Sequence, residues 1–218
     1  MEGQLWAILV AVIGFVCGGL NGALITSKLV YRKDIRNFGS KNAGLTNFYR
    51  VFGKKVIILV LFIDIAKTAV PVLLGGFLMN ALGTRGTAEE RVLAGRLIGG
   101  LFAMIGHAYP LFYGFKGGKA VLAGATFVVI LDWRVGLVVI GVFLLIAVAT
   151  RYVSLGSILA GIALPIAVWG FGYRLYWQWG IAAVVAVLLI YLHRKNIGRL
   201  IRGKERRFSF RRSSERVE

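Results

Sequence analysis

The sequence predicts an all-α polytopic membrane protein of about seven transmembrane helices, with the N-terminus outside and the C-terminus cytoplasmic. Three observations predict it. The composition is 58% hydrophobic and only 17% charged, whereas soluble domains are about 45–50% apolar and about 25% charged; the mean hydropathy is +0.76. The apolar residues gather into stretches close to the roughly 20 residues that cross a bilayer. The cations, 27 Lys and Arg against nine Asp and Glu, fall mostly between alternate stretches, as expected of cytoplasmic loops. A soluble enzyme, a disordered chain and a disulfide scaffold are excluded. The one cysteine, Cys17, lies mid-span among glycines and reads as a packing residue.

The stretches run 5–28, 55–79, 92–113, 117–131, 135–150, 155–172 and 177–193. The first has no Lys or Arg before Lys28 and so lacks the basic start of a cleavable signal. Its Gly14, Gly18 and Gly22 recur every four residues, a ridge for close helix packing. The second holds Asp64 and Lys67 one turn apart; charges inside a bilayer are costly, and mutual pairing is the simplest account. The fourth and fifth are parted only by Asp132-Trp133-Arg134, so a six-span alternative joins them as one bent helix. Residues 31–55, 114–119, 151 and 194–218 carry twenty Lys and Arg, and the intervening loops carry four: Arg85, Arg91, Arg134 and Arg174. This asymmetry sets the orientation. Residues 1–196 read as a single transmembrane domain. Residues 197–218 read as a basic cytoplasmic tail that sets topology and touches anionic lipid rather than nucleic acid.

The acids limit the chemistry. The glutamates Glu2, Glu89, Glu90, Glu205, Glu215 and Glu218 fall in termini or an outer loop. Neither a metal cluster nor a paired-carboxylate acid and base can be assembled, so the sequence predicts no metal. Neither His107 nor His193 has Asp five residues on, where Phe112 and Gly198 stand. What remains are Lys, Arg, Ser, Asn, His and backbone N–H groups, which bind phosphate.

Four polar segments interrupt the apolar pattern, all on the predicted cytoplasmic side. In the first, Gly39 allows a turned backbone, Ser40, Asn42, Thr46 and Asn47 add donors, and Arg50 offers a two-pronged guanidinium. An anion-binding loop and an ordinary polar loop with stop-transfer cations both fit it. In the second, Pro110 breaks the helix after His107, and Lys116 and Lys119 flank Gly117-Gly118 ahead of a predicted helix start. Here the phosphate reading stands ahead of a plain turn. In the third, Ser154 and Ser157 share a face at a helix start, where Ser154 alone could be an N-cap. In the fourth, His193 and Asn196 share a face at the inner end of the last span; taken alone, polar residues at a membrane interface explain them better than a binding site does.

Taken in order, the segments GS-N-G-TN-R (Gly39 to Arg50), D--K (Asp64, Lys67), GH--P----FKGGK (Gly106 to Lys119), VSL-SI (Val153 to Ile158) and HR-NI-RL (His193 to Leu200) resemble the bacterial acyl-phosphate:glycerol-3-phosphate acyltransferases of the PlsY type, over nearly the whole chain. The resemblance implies a multi-pass enzyme of the bacterial cytoplasmic (inner) membrane that serves phospholipid biosynthesis. It implies transfer of an acyl chain from acyl phosphate to the 1-hydroxyl of glycerol-3-phosphate, without metal, coenzyme A or other cofactor. It implies a polar pocket of Ser40, Arg50, Lys119, Ser157, His193 and Asn196. Gly39, Asn42, Thr46, Asn47, Lys116, Gly117, Gly118 and Ser154 would bind the phosphates, and Asp64, Lys67 and His107 would support them. The chain departs from the family pattern at several positions. Lys41 and Ala43 replace Gly and Pro or Ile; Leu45 replaces Ala; Thr68 replaces Gly; Ala120 and Ala123 replace Gly and Thr; Lys195 replaces Glu. These departures bear on substrate more than fold, so a diverged paralogue acylating another phosphorylated acceptor is an alternative. A transporter of phosphorylated lipids is a second alternative, but it calls for paired broken helices in two halves, which the sequence lacks.

Overall fold

The computed structural model describes residues 2–83, 85–173 and 176–208. Arg174 and the tail beyond Phe208, both used above to count cations, lie outside the described residues. The helices are α1 (Glu2–Gly18), α2 (Gly22–Tyr31), α3 (Leu45–Phe52), α4 (Ile57–Leu82), α5 (Ala88–Ala108), α6 (Val121–Leu131), α7 (Trp133–Thr150), α8 (Val153–Gly170), α9 (Tyr176–Leu192) and α10 (Arg194–Ile201). Among the described residues, five segments are long and apolar enough to span a membrane: Gly3–Tyr31, Ile57–Leu82, Ala88–Tyr113, Trp133–Thr150 and Val153–Gly170. The pair α9 and α10, bent by 59°, adds a sixth if it is one span. The stretch 117–131 is helical only over the 11 residues of α6, about 16 Å at about 1.5 Å per residue. The chain is thus an all-helical, multi-pass membrane protein. α6 and α7 are separate helices, parted at Asp132, and not one bent helix.

The chain divides into two compact units, the first ending at Phe127 and the second beginning at Val128. In the first, α1, α4 and α5 pack against one another and α2 and α3 against α4. Glycines permit close approach: a Cβ on Gly75 or Gly95 would strike the other's backbone, and one on Gly18 would strike the backbone of Ala103. The predicted glycine ridge of the first span is split. Gly14 and Gly18 face α5, but α1 stops at Gly18, and Gly22, which opens α2, faces Val60 and Asp64 of α4. The break is stabilised by Asn21, whose Oδ1 accepts from the N–H of Leu24 at 3.0 Å and so caps α2.

On α3, Phe48, Val51 and Phe52 recur at helical spacing and are buried with Ala23, Leu24, Ile35, Ala43 and Val60. Tyr31 stacks on Phe52 at 4.2 Å between ring centroids. This apolar face fixes α3 and leaves Thr46 and Arg50, both half-buried, on its other side.

In the second unit α8 packs against both α7 and α9. Asp132 caps α7 by accepting from the N–H of Arg134 at 2.8 Å. Arg151, in the left-handed region at φ +61°, ends α7.

Candidate functional site

In the first unit the polar groups form two connected sets. The first begins inside the helices. The N–H of Gly22 donates to Asp64 Oδ1 at 3.0 Å, and Lys67 Nζ lies 2.7 Å from the same oxygen. The predicted Asp64–Lys67 pair is therefore formed, and both side chains are almost wholly buried. It does not stand alone: Lys67 Nζ also lies 2.7 Å from His107 Nδ1. An ammonium only donates, so Nδ1 supplies the lone pair and the ring hydrogen sits on Nε2. Gly118 packs against that Nε2 edge: a Cβ on Gly118 would strike the His107 ring and the carbonyl oxygen of Ala43. Asn21 Nδ2 donates to the same Ala43 oxygen at 3.0 Å. The segment containing Ser40 to Arg50 and the segment containing Lys116 to Lys119 thus meet at Gly118.

The second set shapes the loops. Asn47, 1% exposed, accepts from the N–H of Ser40 at 2.8 Å. Its Nδ2 donates toward the carbonyls of Ile35, Phe38 and Asn42 at 3.4, 3.1 and 3.0 Å. Its amide is spent on loop backbone, so it holds Ser40 and Asn42 rather than facing a ligand. Gly39 adopts φ +58°, and Lys41 adopts φ +59° with a side chain attached.

The glycines of the second loop are used differently from the expectation. The N–H groups of Gly117 and Gly118 donate to the carbonyls of Ala108 and His107, each at 3.1 Å. α5 ends at Ala108, and its last carbonyls need donors; the glycines supply them and do not present those N–H groups to an anion. The cationic side chains remain: Lys116 is exposed and Lys119 half-buried. Lys119 sits just ahead of α6, whose first N–H groups face its N-terminal end. Ala120, between them, has φ +57°.

The second unit carries the rest of the predicted residues. Ser154 is not an N-cap: Tyr152 holds that position, and Ser154 Oγ donates to Glu205 Oε1 at 2.7 Å. Ser157 Oγ donates to the Val153 carbonyl at 2.8 Å. His193 and Asn196 do not share the face of one span; α9 ends at Leu192, His193 occupies the bend, and Asn196 lies on α10. His193 Nδ1 lies 2.8 Å from the Leu189 carbonyl. A carbonyl only accepts, so Nδ1 carries the hydrogen and Nε2 the lone pair. The two histidines are therefore in opposite tautomers, with the ring hydrogen on Nε2 in His107 and on Nδ1 in His193.

Glu205, which the sequence assigns to the basic tail, stands beside these groups in the structure. Its Oε1 accepts from Ser154 and from Asn196 Nδ2, the latter at 2.6 Å, and its Oε2 from Arg199 Nε at 2.7 Å. Burial pushes the carboxyl pKa up, but the hydrogen bonds from Ser154, Asn196 and Arg199 outweigh it and hold the group below the usual range. Glu205 is thus an ionised anchor and a poor base. Asn196 is 4% exposed, and its Oδ1 is buried with no donor among the described residues. The N–H of Phe208 donates to the Arg151 carbonyl at 2.7 Å, binding the strand of tail that carries Glu205. The signal for Glu205 was there to read: it is the sole acid among the cations of 194–208.

A family model described as glycerol-3-phosphate acyltransferase matches residues 8–203. A glycerol-3-phosphate acyltransferase of Chlorobaculum tepidum is 40% identical over 94% of this chain and 97% of its own length. One of Finegoldia magna is 36% identical over 92% and 96%. Among solved structures, PlsY (YgiH), described as an integral membrane glycerol 3-phosphate acyltransferase, matches in its glycerol 3-phosphate form with a TM-score of 0.80 and 35% identity, over 93% of this chain and 96% of that one. Its lysophosphatidic acid form matches with a TM-score of 0.78 and 33% identity, over 93% and 95%.

Proposed function

This chain belongs to the glycerol-3-phosphate acyltransferase family, and we propose that it moves an acyl chain from acyl phosphate to the 1-hydroxyl of glycerol-3-phosphate, forming lysophosphatidic acid and inorganic phosphate. The observation that carries the reading is the meeting of two cation-bearing loops at Gly118, wedged between the His107 ring and the Ala43 carbonyl. Two phosphorylated substrates call for that concentration of Lys and Arg.

The chemistry asks little covalent work of the protein. Acyl phosphate is a mixed anhydride, already activated. The glycerol oxygen attacks the acyl carbon, the bond from that carbon to the phosphate oxygen breaks, and phosphate leaves with the electron pair. Catalysis is then alignment and stabilisation of charge on the departing phosphate. In the first unit, Lys119, Arg50 and Ser40 supply phosphate contacts, with Lys116, Gly39, Asn42 and Thr46 around them. Gly117, Gly118 and Asn47 hold the loops, and Asp64, Lys67 and His107 support them from the helices. In the second unit, His193, Asn196 and Ser157 add polar contacts for the substrates. Ser154 acts through Glu205. The proton ends on an oxygen of the departing phosphate, because Glu205 is already occupied by three donors.

The cytoplasmic membrane of a bacterium is the proposed site of action, with seven crossings and the N-terminus outside. The charge pattern supports counting the short α6 as a crossing. Without it, the Lys- and Arg-rich residues 194–208 would fall outside, against the positive-inside rule.

The test is phosphate release by purified protein in lipid, given palmitoyl phosphate with and without glycerol-3-phosphate, and palmitoyl-CoA as control donor. Release that requires both acyl phosphate and acceptor supports the reading. No release from a folded sample sinks it and calls for a screen of other phosphorylated acceptors.

A further inference from the structure

We propose that Arg36 is a positioning residue for the reaction, pinning the backbone from which Lys116 and Lys119 project. The inference rests on the reading above that this segment holds a phosphate. Arg36 lies in a single 3-10 turn, Ile35–Asn37, capped by Asp34. Its Nε donates to both oxygens of Asp34 at 3.0 and 3.2 Å, and its Nη2 to Oδ2 at 2.7 Å. That grip aims the remaining nitrogen. Nη1 donates to the carbonyls of Tyr113 at 2.7 Å and Lys116 at 3.1 Å, 77 and 80 residues further along the chain. Lys28 adds to the node, 3.7 Å from Asp34 Oδ2 and 5.2 Å from the Tyr113 ring centroid.

Between those two carbonyls the backbone is strained. Gly114 has φ +66°, and Phe115, a bulky residue, has φ +57°. A non-glycine residue in that region costs on the order of 1–3 kcal/mol and persists only where its surroundings over-determine it. The N–H groups of Phe115, Gly117 and Gly118 are tied to the carbonyls of Pro110, Ala108 and His107. The carbonyls of Tyr113 and Lys116 are tied to Arg36. Donors of the segment are thus fixed by backbone carbonyls, and two of its acceptors by the Arg36 side chain. A lysine cannot replace it, because an ammonium lacks the planar fork that grips Asp34 while reaching two carbonyls.

The experiment compares Arg36→Gln and Arg36→Lys with Arg134→Gln, which removes a matching grip on Asp132 in the other unit. KM for each phosphorylated substrate, kcat and melting temperature are read in the same detergent. Both Arg36 variants are expected to raise KM for one of the two substrates about tenfold or more, leaving the other KM and kcat within about threefold. Arg134→Gln is expected to lower the melting temperature with both KM values unchanged. If Arg36→Gln does not fold, Arg36→Lys, which keeps the charge beside Asp34, gives the answer. The proposal is overturned if the Arg36 variants behave like Arg134→Gln, if both KM values rise together, or if kcat falls with KM unchanged. Calorimetric titration with glycerol-3-phosphate and with inorganic phosphate repeats the comparison without turnover. A wild-type chain that binds these but transfers no acyl group would sink the acyltransferase reading and leave the role of Arg36 readable from Kd.

Discussion

The motif Asp-x-Arg occurs twice, once in each unit, with nearly superimposable local chemistry. Asp34 accepts from the N–H of Arg36 at 2.9 Å and Asp132 from that of Arg134 at 2.8 Å. Both guanidiniums grip their aspartate through Nε and Nη2, the latter at 2.7 Å in each case. The difference lies in what the rest of each cluster touches. Arg36 spends its last nitrogen on two carbonyls of a distant loop. Arg134 lies over the Phe171 ring at 5.1 Å, and Tyr173 donates to Asp132 at 3.1 Å. A residue pair two positions apart sets its own geometry wherever a helix begins. Its function comes from the third partner, which only the fold selects.

Four outcomes would break or sharpen that contrast. The largest effect is expected for Gly118→Ala. The new Cβ would meet the His107 ring and the Ala43 carbonyl, shifting the loop that Arg36 holds and lowering kcat/KM by about 10²-fold, the usual toll of misplacing reacting groups by about 1 Å. Normal steady-state kinetics in this variant would show that the loop does not carry the chemistry. Next, Gly172→Ala, beside the Asp132 cluster, adds a methyl where nothing lies within 4 Å but φ is +90°. It should cost about 1 kcal/mol of stability with kinetics untouched; altered kinetics would erase the distinction between the two regions.

Acid titration gives the third. Asp132 is held down to about 2 from the 3.8 of an ordinary carboxylate, chiefly by the Arg134 hydrogen bond. The Arg36 hydrogen bond likewise lowers Asp34. Both pKa values are depressed by folding, so their stabilisation is complete above about pH 4 and is lost as pH falls, for Asp132 toward about 2. Melting temperature followed through that range should fall more gently in Asp132→Asn, which keeps a capping side chain; an unchanged slope would show the pair contributes nothing.

The smallest effect concerns Lys41 and Ala120. The region near Arg134 places Gly172 at a left-handed position, whereas the loops of the first unit place Lys41 and Ala120 there. Lys41→Gly and Ala120→Gly should each relieve strain, changing stability by about 1 kcal/mol or less in the favourable direction. Destabilisation in both would mean that the side-chain contacts outweigh the backbone strain.

These two substitutions also mark what was legible in the sequence. Both stand where the resembled family carries glycine, and only the backbone angles reveal why glycine suits those sites. The long spans were legible because burial in lipid leaves an unbroken apolar run. The break between α1 and α2 was not, because Asn21 earns its place through Ala43, 22 residues away. Asp64 and Lys67 were readable as a pair from helical spacing, but His107 joins them across 40 residues. The glycines of the second loop were identified and misread, since the carbonyls that claim their N–H groups belong to the helix end they follow. Arg36 could have been found from the repeated Asp-x-Arg; its carbonyl partners could not.

Glu205 lies 51 residues beyond Ser154. At about 5–20 residues per second, roughly 3–10 s of translation separate the two. α8 is therefore delivered with its serine lacking the carboxylate, and α9 and α10 must both be made before the partner exists. Membrane integration of the second unit and completion of its polar cluster are separate events in biosynthesis. A ribosome stalled after α9 would leave a chain with its apolar helices made and the Ser154–Asn196–Glu205 cluster still open.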